Sequence, residues 1–312
     1  VIEVKNSFGL SMVEDFRFML QQPQLDLLIN LSKEINSPIP EFYIYFVVRT
    51  PRISFKNESL HIAKGQLNGT IKIQQKDEFI EIPFEYPLDG DSKNLEILLE
   101  YPYEVVDILY SDKQLYSKIN ATIFLTEFLQ YTLDTEVIYI GRSFGKEGSR
   151  TALDRLPSHS TLQKIYSENR PDKSIWLLLF SFNRNSMVFL PPGINTDENN
   201  GFEKWSKFME HSFAPYSKVA KSQEVKFTEA ALIRYFQPHY NTEFKYNFPS
   251  RDHTVYSDCY SAELDYIGVE IEANYGMRLG TDSAALNFNH NIFFDLNGER
   301  NFKDMFRIPY EK

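Results

Sequence analysis

The sequence predicts an α/β (α+β) protein: a small mixed sheet flanked by helices, with a β-rich N-terminal domain before it and a C-terminal extension after it. Three observations carry this. Alternating or continuous apolar runs, "EFYIYFVVRT", "GTIKIQQ" and "EFIEIPFEY", crowd the first third and are punctuated by Gly, Asn and Pro, as strands are. The middle alternates strand-like text ("VIYIG", "SIWLLLFSFN") with text at helical spacing. The chain of 312 residues is 42% hydrophobic, with 26 Phe and 19 Tyr, enough for a sizeable core and without the composition of a disordered chain.

Taken in order, "SMVEDFRFMLQQPQLDLLINLSKEI" places apolar residues at helix-like intervals and is interrupted by Pro23, which predicts two short helices or one broken one. Strand text then runs to about residue 118, giving a first domain over 1–118. From residue 119, "ATIFLTEFL" reads as a strand, "LDTE" as a turn and "VIYIG" as the returning strand of an antiparallel hairpin. A Gly- and Ser-bearing loop leads into "SRTALDRLPSHSTLQKIYSE", a helix, a break at Pro157 and a second helix. "SIWLLLFSFN" has the length and apolarity of a buried strand. The polar "NTDENNG" precedes two helical stretches, "GFEKWSKFMEHSF" and "FTEAALIRYFQ", the second ending at Pro238. These elements form a middle domain over 119–245. In the remainder, 246–312, "YIGVEIEA" and "NIFFDLNG" read as strands, packed either as additions to a neighbouring sheet or as a small lobe. Its "YIG", Tyr266–Gly268, has no basic helix behind it and is read as coincidence.

Charge and cysteine usage bound the function. A formal charge of −10 excludes a protein coated in nucleic acid, because phosphate binding rests on Lys and Arg. The sign reverses locally: between Val137 and Arg184 eight cations face four anions. One cysteine, Cys259, cannot form an internal disulfide and points to a reducing, cytoplasmic setting. No apolar run approaches the roughly 18 residues of a membrane span, so no membrane is expected as a partner.

Three pieces stand in a suggestive order: "VIYIGRS", "DRLPSHSTLQKI" and "TEAALIRYFQPHYN". Together they resemble the GIY-YIG nuclease superfamily over about residues 119–245, with Glu229 to Asn241 the most specific stretch. The resemblance implies a small GIY-YIG-like α/β domain and metal-dependent hydrolysis of phosphodiester bonds in DNA, branched or foreign DNA included, while the acidic charge of the flanks suggests that they meet a protein partner or repel bulk DNA. It places Glu229 as ligand to one Mg²⁺ or Mn²⁺, a hard ion that keeps most of its water. Tyr139 would assist the attacking water, although a phenol with a pKa of about 10 needs help from neighbouring charge. Arg155 would clamp phosphate oxygens, with Arg150 as its substitute. His159 and Asn241 complete the site, and Arg142, Lys146, Arg150 and Lys164 would hold nucleic acid.

Each residue also has a plainer use. Tyr139 serves as a packed edge aromatic, Arg155 as a surface partner for Asp154 or Glu147, His159 as a helix-start residue, Glu229 as the acid of a first helical turn and Asn241 as a turn residue. The family's first motif, GIY, is not legible in the ten or so residues before "YIG". Phe124 or Phe128 would stand in its place, with Tyr131, Tyr110 or Tyr116 as substitutes. Two functions therefore go forward: a GIY-YIG-like endonuclease, or a catalytically impaired module of the same fold that binds nucleic acid or a protein.

Overall fold

The computed structural model describes residues 7–26, 28, 30, 41–89, 94–145, 152–156, 159–189, 219–250, 252–262, 264–272 and 276–296. Its centre is a curled seven-stranded mixed sheet in the order β13-β10-β2-β11-β1-β12-β14. Here β1 is Ser7–Leu20, β2 is Ile44–Pro51, β10 is Leu133–Arg142 and β11 is Lys173–Phe189; β12 is Tyr266–Glu272, β13 is Met277–Gly280 and β14 is Asn289–Asp295. The pairs β1/β12 and β10/β13 are parallel and the others antiparallel. Between β2 and β10 the chain builds two smaller sheets. One holds β3 (Ile53–Phe55), β4 (His61–Ala63), β5 (Gln66–Gln75) and β6 (Glu78–Pro87), and the other β7 (Glu96–Leu99), β8 (Val105–Leu109) and β9 (Leu115–Asn120).

The strand text of the first third, the buried strand at "SIWLLLFSFN" and the two C-terminal strands are found where expected, and the latter join the large sheet. The sheet draws strands from all three predicted segments. Two element assignments are corrected. The first part of the N-terminal stretch read as helix, up to Leu20, is instead β1, hydrogen-bonded along β11 for most of its length, while a short 3₁₀ turn, Gln22–Gln24, follows it at Pro23. A β-bulge between Glu14 and Phe16 leaves Asp15 as an extra residue, so Leu10 and Met12 share a face with Arg17 and Met19. That slip of phase turns a two-residue period into apparent helical spacing.

The second correction concerns "ATIFLTEFL". Ala121–Ile123 (α1) and the following π-helical turn Phe124–Phe128 are helical because the Asn120 side chain accepts from the amides of Thr122 and Ile123. The "LDTE" read as a turn is the start of β10. Phe124 and Phe128 therefore pack beside Tyr86 in the intervening module rather than beside Tyr139.

Both faces of the central sheet are covered. On one, Phe46, Val48, Trp176, Leu178 and Phe180 meet the helix α4, Lys221–Phe236, through Phe227, Ala230, Ala231 and Phe236. On the other, Val47, Leu177 and Leu179 meet Leu153 of α2 (Ala152–Arg155) and Leu162 and Ile165 of α3 (Ser160–Ser167). Full burial of such side chains contributes about 1.5–3 kcal/mol each. The helix–break–helix reading of this stretch holds in its helices, whereas the break at Pro157 and the stretch "GFEKWSKFMEHSF" lie outside the described residues. The short helix Ser257–Ser261 (α5) carries Cys259, which is buried.

Candidate active site

The strands β2 and β10 run antiparallel with Tyr139 opposite Val47 and Gly141 opposite Tyr45. Residues two pairs apart on neighbouring strands share a face, so this register sets Tyr45 and Tyr139 as diagonal neighbours. Their ring centroids are 6.2 Å apart. Gly141 is what admits the pair: a Cβ there would lie 2.5 Å from the Tyr45 hydroxyl and 2.9 Å from the Tyr139 ring. The two hydroxyls face one another, yet Tyr45 Oη, cut off from solvent, makes no well-formed hydrogen bond.

His159 closes the aromatic group, its ring 5.9 Å from that of Tyr45 and 5.4 Å from that of Tyr139. It is the N-cap of α3: Nδ1 accepts from the Leu162 amide at 3.2 Å. An accepting Nδ1 leaves the proton of the neutral ring on Nε2. The helix-start use foreseen for His159 is thus realised, and its ring lies beside both tyrosines.

Glu229 sits in the interior of α4, well past the helix start at Lys221, which removes the reading of it as a first-turn acid. Its Oε2 accepts from Nε of Arg142, the last residue of β10. Burial pushes the Glu229 carboxyl above its ordinary 4.5, opposed by the charges of Arg142 and Arg155 and reinforced by Glu243. Arg155, at the end of α2, donates to the Arg142 carbonyl. Burial also raises both phenols above their ordinary 10.0. At Tyr139 the Glu229 charge adds to this and the Arg155 charge opposes it.

Asn241 lies behind the site. Its Oδ1 accepts from the Ile140 amide at 2.9 Å and its Nδ2 donates to the Ile140 carbonyl at 2.8 Å. The Tyr240 amide donates to Ile138 in the same way. The "PHYN" segment therefore satisfies the edge of β10 beyond the last residue paired with β13, Glu136.

Five of the residues singled out in the sequence, Tyr139, Arg142, Arg155, His159 and Glu229, gather at the end of β10, and Asn241 holds the strand that carries them. Lys164 stands apart, exposed on α3, paired with Glu168 and 5.9 Å above the Tyr240 ring. Lys146 and Arg150 lie outside the described residues. The residue that sequence reasoning missed is Tyr45. The signal was present as "FYIYFVV", an Ile-Tyr pair on a strand of the right kind, but it lies far outside the spacing of a compact hairpin before "YIG". Tyr110, Tyr116 and Tyr131 lie in or beside the intervening module, Tyr116 and Tyr131 packed against its own core and Tyr110 exposed.

Among the described residues no group of three or more His, Cys, Asp or Glu side chains is arranged to hold a metal, and no helix is long and apolar enough to cross a membrane. The donor set at the site is one carboxylate, Glu229, with the charge of Glu243 within range. A single carboxylate fits a cation that keeps several waters and takes its remaining ligands from phosphate. No family model, curated protein or solved structure matches the chain.

Proposed function

We propose that the protein is a metal-dependent endonuclease that hydrolyses phosphodiester bonds in DNA through a GIY-YIG-like site. The observation that carries the reading is Tyr45 beside Tyr139, since it supplies the second tyrosine that the resemblance requires. It weakens the competing reading of an impaired binding module, whose ground was the missing hydroxyl.

The chemistry follows from the positions of the side chains. A water held at the hydroxyl of Tyr139, the more open of the two tyrosines, is the nucleophile, with the buried Tyr45 hydroxyl packed behind it. Because both phenols are raised, its proton passes to Tyr139 only when neighbouring positive charge stabilises the phenolate. Arg155 and Arg142 take the phosphoryl oxygens in forked contacts, where charge grows in the transition state. Glu229 is the residue that would hold Mg²⁺ or Mn²⁺, which when bound supplies charge stabilisation at the phosphate and its leaving oxygen.

In a nicking assay on supercoiled, linear and branched DNA with Mg²⁺ or Mn²⁺, the parent chain is expected to cut and Glu229→Ala to lose cleavage by at least about a hundredfold. A Glu229→Ala variant that cuts like the parent, or DNA left intact by the parent across metals, sinks the enzyme reading.

A further inference from the structure

The Arg142–Glu229 pair puts a cation on the one carboxylate that the proposed nuclease needs for its metal. We infer that Arg142 is an exchange partner: it caps Glu229 in the free protein and moves onto the DNA phosphate when substrate arrives, so that phosphate and metal enter the site together. This inference rests on the nuclease reading and specifies how that site is loaded.

The geometry favours exchange over a permanent pair. The Arg142 side chain is 30% exposed while that of Glu229 is 12% exposed, so the guanidinium lies on the solvent side and is the mobile partner. Its backbone is fixed independently: the Ser143 amide donates to the Tyr43 carbonyl at 2.8 Å, and Arg155 holds the Arg142 carbonyl. The side chain can therefore swing while the strand end stays in place. Arg155 remains beside the site after the swing, so the carboxylate is not left without positive charge. The charges also balance. Glu229 trades one cation for another, and the guanidinium trades a carboxylate for a phosphate, which its fork fits equally well. Because the Glu229 carboxylate is mostly buried, it exchanges one cation for another instead of standing alone, and the coupling is expected at about tenfold in affinity.

The test is Mn²⁺ binding by calorimetry at pH 8, on the full chain, with and without a phosphorothioate duplex that resists cleavage. In the parent the duplex is expected to tighten Mn²⁺ about tenfold. Arg142→Gln without DNA should bind Mn²⁺ about tenfold more tightly than the parent and gain less than twofold from the duplex. Arg142→Lys, which keeps the charge and the strand, should fall between them and guards against a folding defect in the first variant. Unchanged Mn²⁺ affinity in free Arg142→Gln, or a full tenfold gain from the duplex in that variant, overturns the exchange. If Glu229→Gln abolishes Mn²⁺ binding while Arg142 proves irrelevant, only the exchange falls. If Glu229→Gln binds Mn²⁺ as the parent does, the nuclease reading falls with it.

Discussion

Tyr45 is a buried tyrosine whose hydroxyl does nothing for the fold. Its ring packs among Leu177 and Leu179, but Oη is shut off from water without a well-formed hydrogen bond. A buried polar group in that state costs stability, so removing it is neutral or favourable. Tyr45→Phe is therefore expected to unfold in urea within about 1 kcal/mol of the parent, or later than it. In the proposed enzyme the same change should lower cleavage by about a hundredfold. The pH profile gives the sign of the chemistry. Phenols held above 10.0 are protonated at neutral pH, so the parent's cleavage rate should climb with pH across the neutral range. A variant that loses stability in proportion to activity would make Tyr45 a packing residue.

At the scale of the element, Asn241 and β10 form one device. Two main-chain groups of Ile140, between Tyr139 and Gly141, are satisfied by a single side chain. Truncation to Ala strands a buried amide and a buried carbonyl at about 1–3 kcal/mol each. Asn241→Ala should thus lower unfolding free energy by about 2–6 kcal/mol, and Asn241→Asp, which keeps the acceptor and loses the donor, should fall between that variant and the parent. Equal stability of all three in urea would reduce Asn241 to a plain turn residue. The pattern "PHYN" was legible in the sequence as a motif, but the strand it holds lies 101 residues away. The two strands it serves were only half legible: "VIYIG" announces β10, but nothing within it says that its partner is β2. Pairing is a property of the sheet, and the sequence distance between paired strands is free to grow. Likewise β1 was unreadable as a strand, because the bulge at Asp15 shifts the phase that makes alternation visible.

For the whole molecule, the consequence is that residues 52–132 form an insertion hung on a hairpin. Arg49 pairs with Glu136, so the ends of β2 and β10 meet where the insertion leaves and returns. The insertion has its own core around Phe55, Phe84 and Phe124 and touches the large sheet mainly through Met19, Leu133 and Met277. That seam is loosely filled, leaving a cavity of about 290 Å³ lined by Met19, Ile123, Glu127, Leu178 and Met277 among others. Replacing 52–132 by a short Gly-containing turn should accordingly keep the seven-stranded sheet and the Tyr45–Tyr139 pair. Uncovering Leu133 and Met277 would cost about 3–6 kcal/mol, which Leu133→Thr and Met277→Thr should partly recover by removing apolar surface from water. Far-UV circular dichroism and urea unfolding would read the fold, and the nicking assay would read the site. Retained metal-dependent nicking with altered choice among linear and branched DNA would assign substrate selection to the insertion. Failure to fold with both threonines in place would instead make the insertion part of one indivisible core.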